Sequence, residues 1–519
     1  MARNLLKGQP LELNIPGHPV FIGYLSHIYS LFGQEPLIFY LIQFTLSLTA
    51  TVLLALIGMM VFGLWPGVVS ALIYVFYKMN FLYDVMKAET ALTQFLIITT
   101  LFFFVAHLKK PSVRSWLGCA VFGVLLSLLR IFCWVLTIPA WAFLFIRNKY
   151  WQSKKYIVLY SLLALAAVFL FFHMHGSNRY SHKFGIHFFI GSSADSLGLM
   201  QIMEGISPNS EGFARDAILV AYQDSGSTEH LNWYWIKRTL RSYLERPVQA
   251  LSMWGRKINY LVNHYEPHNN TSVYYYEKKT LLGHLPRLDY GIIFTLASIG
   301  MIAALWQRHR GAYLLIPTFI LAGLILLVFI CSRYRMPLIP FYSLFAGFGL
   351  CVFVKLCRNR KLVEISLLLL ISALIFSWTG MRMFPFDKAQ DIQHWERKEI
   401  LLARRQEAVE HARDQLMRWD QLPPVEKVDL AGRLEQLSLK FEFDQVYHEA
   451  LRLAEDSADP DLLARLLQRR AAFYESNFDF QSALDIWLRL EQIPAMTKKA
   501  AEKIHVLQII KRLRGDQFD

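Results

Sequence analysis

The chain has 519 residues, of which 54% are hydrophobic and only 18% charged. A composition this apolar excludes an ordinary soluble enzyme of this size and identifies a polytopic membrane protein. The net charge of +14 does not point to nucleic acid, because the basic residues punctuate apolar runs instead of covering a folded surface.

In chain order, residues 1–36 read as an outer loop and juxtamembrane segment. Within them Asn14-Ile15-Pro16-Gly17-His18-Pro19 is a rigid turn ahead of an amphipathic stretch at 20–33. A membrane region at 37–173 follows, with apolar runs close to the ~20 residues that a bilayer requires. They predict spans at 37–63, 66–83, 89–107, 116–130, 131–147 and 156–173. The pair at 116–147 has room only for two short helices, or for one helix with a re-entrant piece. Residues 174–289 form an outer domain, in which Trp233 to Val262 shows helical apolar spacing interrupted at Arg246-Pro247, hence two helices lying near the membrane. Four more spans, 290–306, 313–331, 337–355 and 362–379, complete a second membrane region at 290–380 and bring the bundle to about ten helices.

The tail, 381–519, turns charged and helical. Phe441, Phe443, Leu451, Arg452 and Leu453 recur 37 residues later as Phe478, Phe480, Leu488, Arg489 and Leu490. A period of that size is typical of helix-pair repeats, so the tail reads as an α-solenoid with the helix at 397–417 as a cap. Its second unit, with Tyr474, Phe480, Ala483, Trp487 and Pro494, resembles a degenerate tetratricopeptide repeat, a surface that could receive a protein partner.

Basic clusters set the expected orientation. Lys109, Lys110 and Arg114, then Arg147, Lys149, Lys154 and Lys155, then Arg308 and Arg310, then Arg358, Arg360 and Lys361 mark cytoplasmic loops. The 174–289 domain, the tail and the candidate site then face outward, the periplasm in a bacterial plasma (inner) membrane. This parity also puts residue 1 outside without a signal sequence, so an additional upstream helix is expected. The five cysteines, Cys119, Cys133, Cys331, Cys351 and Cys357, lie in or beside spans and carry neither a disulfide framework nor zinc-ligand spacing.

The residues that carry chemistry sit at the outward ends of these spans. Arg333-Tyr334-Arg335-Met336-Pro337-Leu338-Ile339-Pro340 places two arginines and two prolines between apolar runs, and an arginine at the edge of hydrocarbon is costly unless it is used. Arg130 closes a short helix, and Asp84, Lys87 and Glu89 lie at the mouth of two others. Guanidinium groups match phosphate oxygens in bidentate fashion, so Arg130, Arg333 and Arg335 could neutralise a lipid phosphate. Asp84 or Glu89 could take a proton from an acceptor or hold a divalent metal ion.

The proline turn at 16–19 with Phe21 to Leu25, the Phe32-Gly33 turn, Gln43, Glu89, Leu128-Leu129-Arg130, Arg246-Pro247, Arg256-Lys257 and the Arg-Tyr-Arg-x-Pro-x-x-Pro element together resemble the GT-C superfamily over about residues 1–380. The closer likeness is to bacterial relatives of the protein O-mannosyltransferases and the aminoarabinose transferases. This resemblance implies a GT-C-like, all-α bundle that takes a sugar from a polyprenyl-phosphate donor at the outer membrane face. It places Arg333 and Arg335, with Tyr334 between them, at the phosphate end, Arg130 at a basic position and Glu89 at an acidic one; His18 of the proline turn and Lys87 of the outer mouth join the candidate substrate-binding residues by their place at the outward ends. The family's principal acid precedes the proline turn, where this chain offers only Glu12, so the chain as it stands is expected to have little transfer activity, with Asp84 and Glu89 as the remaining catalytic carboxylates. Rival readings are an oligosaccharide polymerase or ligase, a transporter, and a catalytically silent scaffold that presents the helical tail.

Overall fold

A computed structural model describes residues 19–130, 133–147, 183–200, 231–268, 272–423 and 480–515 apart from single positions and short gaps, with isolated positions elsewhere. The described residues are helical, apart from two isolated β-bridges, Tyr77 with Leu288 and Leu199 with Ile330. The expected span at 156–173 and the outer residues 201–219 lie outside them.

The first compact unit comprises the described residues within 17–203 and 229–392. Its helices are α1 Pro19–Phe32, α2 Pro36–Val61, α3 Leu64–Val75, α4 Lys78–Asp84, α5 Thr90–Lys109, α6 Val113–Leu129 and α7 Trp134–Arg147. After them come α8 Lys183–Ser192, α9 Leu231–Glu245, α10 Pro247–Val262 and α11 Val273–Lys279. The unit continues with α12 Tyr290–Trp306, α13 Leu315–Leu327, the single turn α14 Ser332–Arg335, α15 Ile339–Arg358 and α16 Leu362–Thr379. Pro36 at the start of α2 and Pro247 at the start of α10 occupy first-turn positions, where a missing N–H costs nothing.

Five of the described helical segments are long and apolar enough to cross a bilayer: Pro36–Val61, Thr90–Lys109, Arg310–Leu327, Ser332–Arg358 and Leu362–Thr379. Shorter apolar helices cover Phe21–Phe32, Leu64–Val75, Val113–Leu129 and Tyr290–Trp306. Leu37, Leu41, Phe44, Leu48, Val52 and Leu56 form one exposed stripe along α2. Apolar surface on this scale is stable against lipid, not water.

Two expected spans are shorter than their apolar runs. The run at 66–83 breaks at Phe76-Tyr77, where Tyr77 is extended and Leu288 N–H donates to the Phe76 carbonyl at 2.7 Å. The next residue is Lys78, buried 2.5 Å from Asp289. Burial acts to raise the Asp289 pKa, and Lys78 outweighs it, so the carboxyl titrates below its usual range. The run at 313–331 is helical only to Leu327, because Ile330 N–H turns to the Gly198 carbonyl at 2.8 Å.

The bundle centre is built by glycines. A Cβ on Gly300 of α12 would overlap the Phe345 carbonyl of α15, and one on Gly58 of α2 would lie 2.5 Å from Gly67 Cα of α3. Without a strong hydrophobic drive between helices in lipid, such close backbone approach supplies the packing.

The second unit comprises the described residues within 393–519, with a few within 204–228. Its described helices include most of α17 Lys388–Met417, together with α18 Phe480–Glu491 and α19 Thr497–Gly515. Ala483, Trp487 and Leu490 of α18 pack with Ala500, Ile504 and Leu507 of α19 in one core. Phe441, Phe443 and Phe478 of the sequence repeat lie outside the described residues.

Candidate active site

Glu89 is the residue before the first turn of α5, and its side chain makes no cap to that helix. Its backbone carbonyl accepts from Thr93, whose N–H and hydroxyl donate at 2.9 and 2.8 Å, and its carboxylate points away from the helix. It reaches two guanidinium groups. Arg130, in extended backbone at the end of α6, places Nη2 3.0 Å from Glu89 Oε1. Arg333, on the turn α14, places Nη2 on the same oxygen.

The two arginines line a small cleft together with Thr90, Thr93, Gln94, Tyr334, Met336 and Pro337. The free space is about 10 Å³, room for one water. Gln94 Nε2 donates to the Met336 carbonyl at 2.5 Å and ties α5 to the Arg333 turn. The hydroxyl of Thr90 and the carbonyl oxygen of Gln94 are buried there without a hydrogen-bond partner. Unpaired buried polar atoms of this kind cost stability unless something fills the cleft.

Arg335 lies elsewhere. It is fully buried and does not line the cleft. Its Nη1 donates to the carbonyls of Tyr260 and Asn263 at 2.9 and 3.0 Å, and Nη2 to the Tyr265 carbonyl at 2.9 Å and to Glu266 Oε2. The guanidinium also stands 4.0 Å from the centre of the Tyr290 ring. It therefore caps the C-terminal carbonyls of α10 and pairs with a buried acid, Glu266, whose other oxygen accepts from Tyr77 Oη at 3.0 Å.

Asp84 ends α4 on a different partner. Its Oδ1 accepts from Ser47 Oγ of α2 at 2.6 Å. Burial pushes the Asp84 carboxyl up to about 7, against the opposing pull of that hydrogen bond. Tyr334, between the two arginines, lines the cleft and packs 5.1 Å from the Phe329 ring. His18, Lys87 and Glu12 lie outside the described residues. No group of three His, Cys, Asp or Glu side chains gathers among the described residues as a metal site would require.

Sequence reasoning missed Gln94, Thr90 and Thr93, although a signal was present: three polar residues at i, i+3 and i+4 on an otherwise apolar helix mark an inward polar face. It also missed Glu266 and the environment of Lys257. Lys257, in α10, is fully buried, with Nζ 2.6 Å from Ser192 Oγ and 4.9 Å from the centre of the Trp254 ring. Burial pulls its amine down to about 7.

Together the fold and the cleft define a helical membrane protein with a paired-arginine site at helix ends. Residues 17–172 match the family model of the dolichyl-phosphate-mannose-protein mannosyltransferases. This segment, which contains Asp84, Glu89 and Arg130, is that of a glycosyltransferase using a polyprenyl-phosphate-linked sugar donor. No curated protein and no solved structure matches the chain.

Proposed function

We propose that the protein transfers a sugar from a polyprenyl-phosphate-linked donor to a hydroxyl on a lipid, glycan or protein acceptor at the outer face of the plasma (inner) membrane, with the donor phosphate in the Arg130–Arg333 cleft. The convergence of two guanidinium groups on a single carboxylate oxygen, beside polar groups that lack partners, carries this reading. In the transfer, the acceptor oxygen bonds to the sugar C1 as the C1–O bond to phosphate breaks. The electron pair departs with the phosphate, which changes from a singly charged diester to a doubly charged monoester. Arg130 and Arg333 face the oxygens on which that charge develops, where fixed donors in a water-poor site are most effective. The acceptor's proton requires a carboxylate. Asp84, titrating near 7, is matched to that task at neutral pH, whereas Glu89 is held by the arginines. The cleft has room for a single water, so donor entry displaces side chains around it.

Binding of a short-chain polyprenyl phosphate to the protein in nanodiscs tests the assignment. Arg130→Ala and Arg333→Ala should each weaken it about ten- to hundredfold, the worth of a charge-assisted hydrogen bond, with little change in thermal unfolding. Unaltered affinity in both folded variants would overturn the assignment.

A further inference from the structure

Glu89 is an odd neighbour for a phosphate. Its carboxylate occupies the place an anionic ligand would take, with Arg130 Nη2 at 3.0 Å and Arg333 on the same oxygen. The lining of the cleft carries no other charged side chain among the described residues than these two arginines. Among the described residues, two guanidinium groups and one carboxylate leave a local charge of one positive unit. That balances a phosphodiester, which has a single negative charge, and falls one unit short of a phosphomonoester near neutral pH. Resting on the assignment above, we propose that Glu89 is a positioning residue that makes the cleft select the donor diester over the lipid monophosphate product, so that the charge created by transfer itself drives the product out.

The physical basis is short range and low dielectric. A monoester seated between Arg130 and Arg333 brings its second charge against Glu89 within a few ångströms, where two like charges repel far more strongly than they do in water. The buried, partnerless Thr90 hydroxyl and Gln94 carbonyl do not relieve this. The hydroxyl could donate to either ester, and the carbonyl oxygen disfavours added negative charge. Glu89 is thus an internal competitor for the arginines, weak enough to yield to the donor and strong enough to oppose the product.

The experiment uses two probes that need no knowledge of the sugar: a short-chain polyprenyl monophosphate and its methyl diester. Wild-type protein in nanodiscs should bind the methyl diester at least as tightly as the monophosphate, despite the smaller charge. Glu89→Gln should tighten the monophosphate by about tenfold or more relative to the diester, as removal of one nearby charge predicts. Glu89→Asp, which keeps the charge, should retain the wild-type ratio. A wild type that clearly prefers the monophosphate overturns the inference even if neither variant folds, and so does an unchanged ratio in folded Glu89→Gln. If instead neither probe loses affinity on Arg333→Ala, the phosphate assignment fails and this inference with it. Under turnover, the Glu89→Gln enzyme should show inhibition by added monophosphate strengthened about tenfold more than its affinity for the diester, a change in ratio that a merely structural role would not produce.

Discussion

Arg333 and Arg335 stand two positions apart on one helical turn, so at 3.6 residues per turn their side chains leave the backbone in nearly opposite directions. One enters the cleft beside Glu89, and the other is buried under the end of α10 against Glu266. Arg335→Ala should therefore cost about 3–5 kcal/mol of stability, since it strands a buried Glu266. The double variant Arg335→Met, Glu266→Gln should recover most of that in thermal unfolding. An unchanged Tm with loss of lipid-phosphate binding in Arg335→Ala would instead put this arginine with the cleft. Lys257 gives a pH-dependent counterpart. Its folded pKa of about 7 lies below that of an exposed lysine, so between about pH 7 and 10 the unfolded chain binds more protons and stability rises with pH. The penalty is complete below about pH 7. Lys257→Met should raise Tm at pH 6, with the gain shrinking toward pH 10. A gain independent of pH would show that the amine carries no charge-related penalty. The presence of basic and acidic side chains at helix ends was legible in the residues, and their pairing was not, because no local pattern says which carboxylate each arginine meets.

Among the elements, helices followed from apolar run length, and their breaks did not. The run at 66–83 reads as one span, yet the chain leaves the helix at Phe76-Tyr77, so that Lys78 can meet Asp289 and Leu288 can pair with the backbone. That break depends on a partner more than 200 residues away, which hydropathy cannot register. The division of Trp233 to Val262 into α9 and α10 was legible, because Pro247 fits a first helical turn and not a helix interior. Helix contact rests on glycine. Gly300→Leu should cost about 1–3 kcal/mol through overpacking, because Phe345 and Gly349 of α15 leave no space for a side chain. Gly255→Ala on α10, where nothing lies within 4 Å of the added carbon, should be neutral or slightly stabilising. Equal effects of the two in thermal unfolding would mean that close approach of α12 and α15 does not hold the bundle together.

For the whole molecule, the basic clusters imply an orientation. Leu244, 85% exposed on α9, is expected outside, and Arg360, in the loop between α15 and α16, inside. In a background lacking the native cysteines, Leu244→Cys should react with an impermeant maleimide in intact cells and Arg360→Cys only after permeabilisation. Equal labelling of both from outside would reject the orientation. By itself the sequence determined the all-helical membrane class, several of the long apolar helices, the division at Arg246-Pro247 and the presence of basic side chains at helix ends, because run length, proline chemistry and charge at helix ends are local properties. Only the tertiary structure decided that Glu89 joins Arg130 to Arg333, that Arg335 serves Glu266 and the end of α10, and that Asp84 is left to Ser47. These pairings join residues from 37 to 244 positions apart, and each is fixed by the direction in which a packed helix points its side chains.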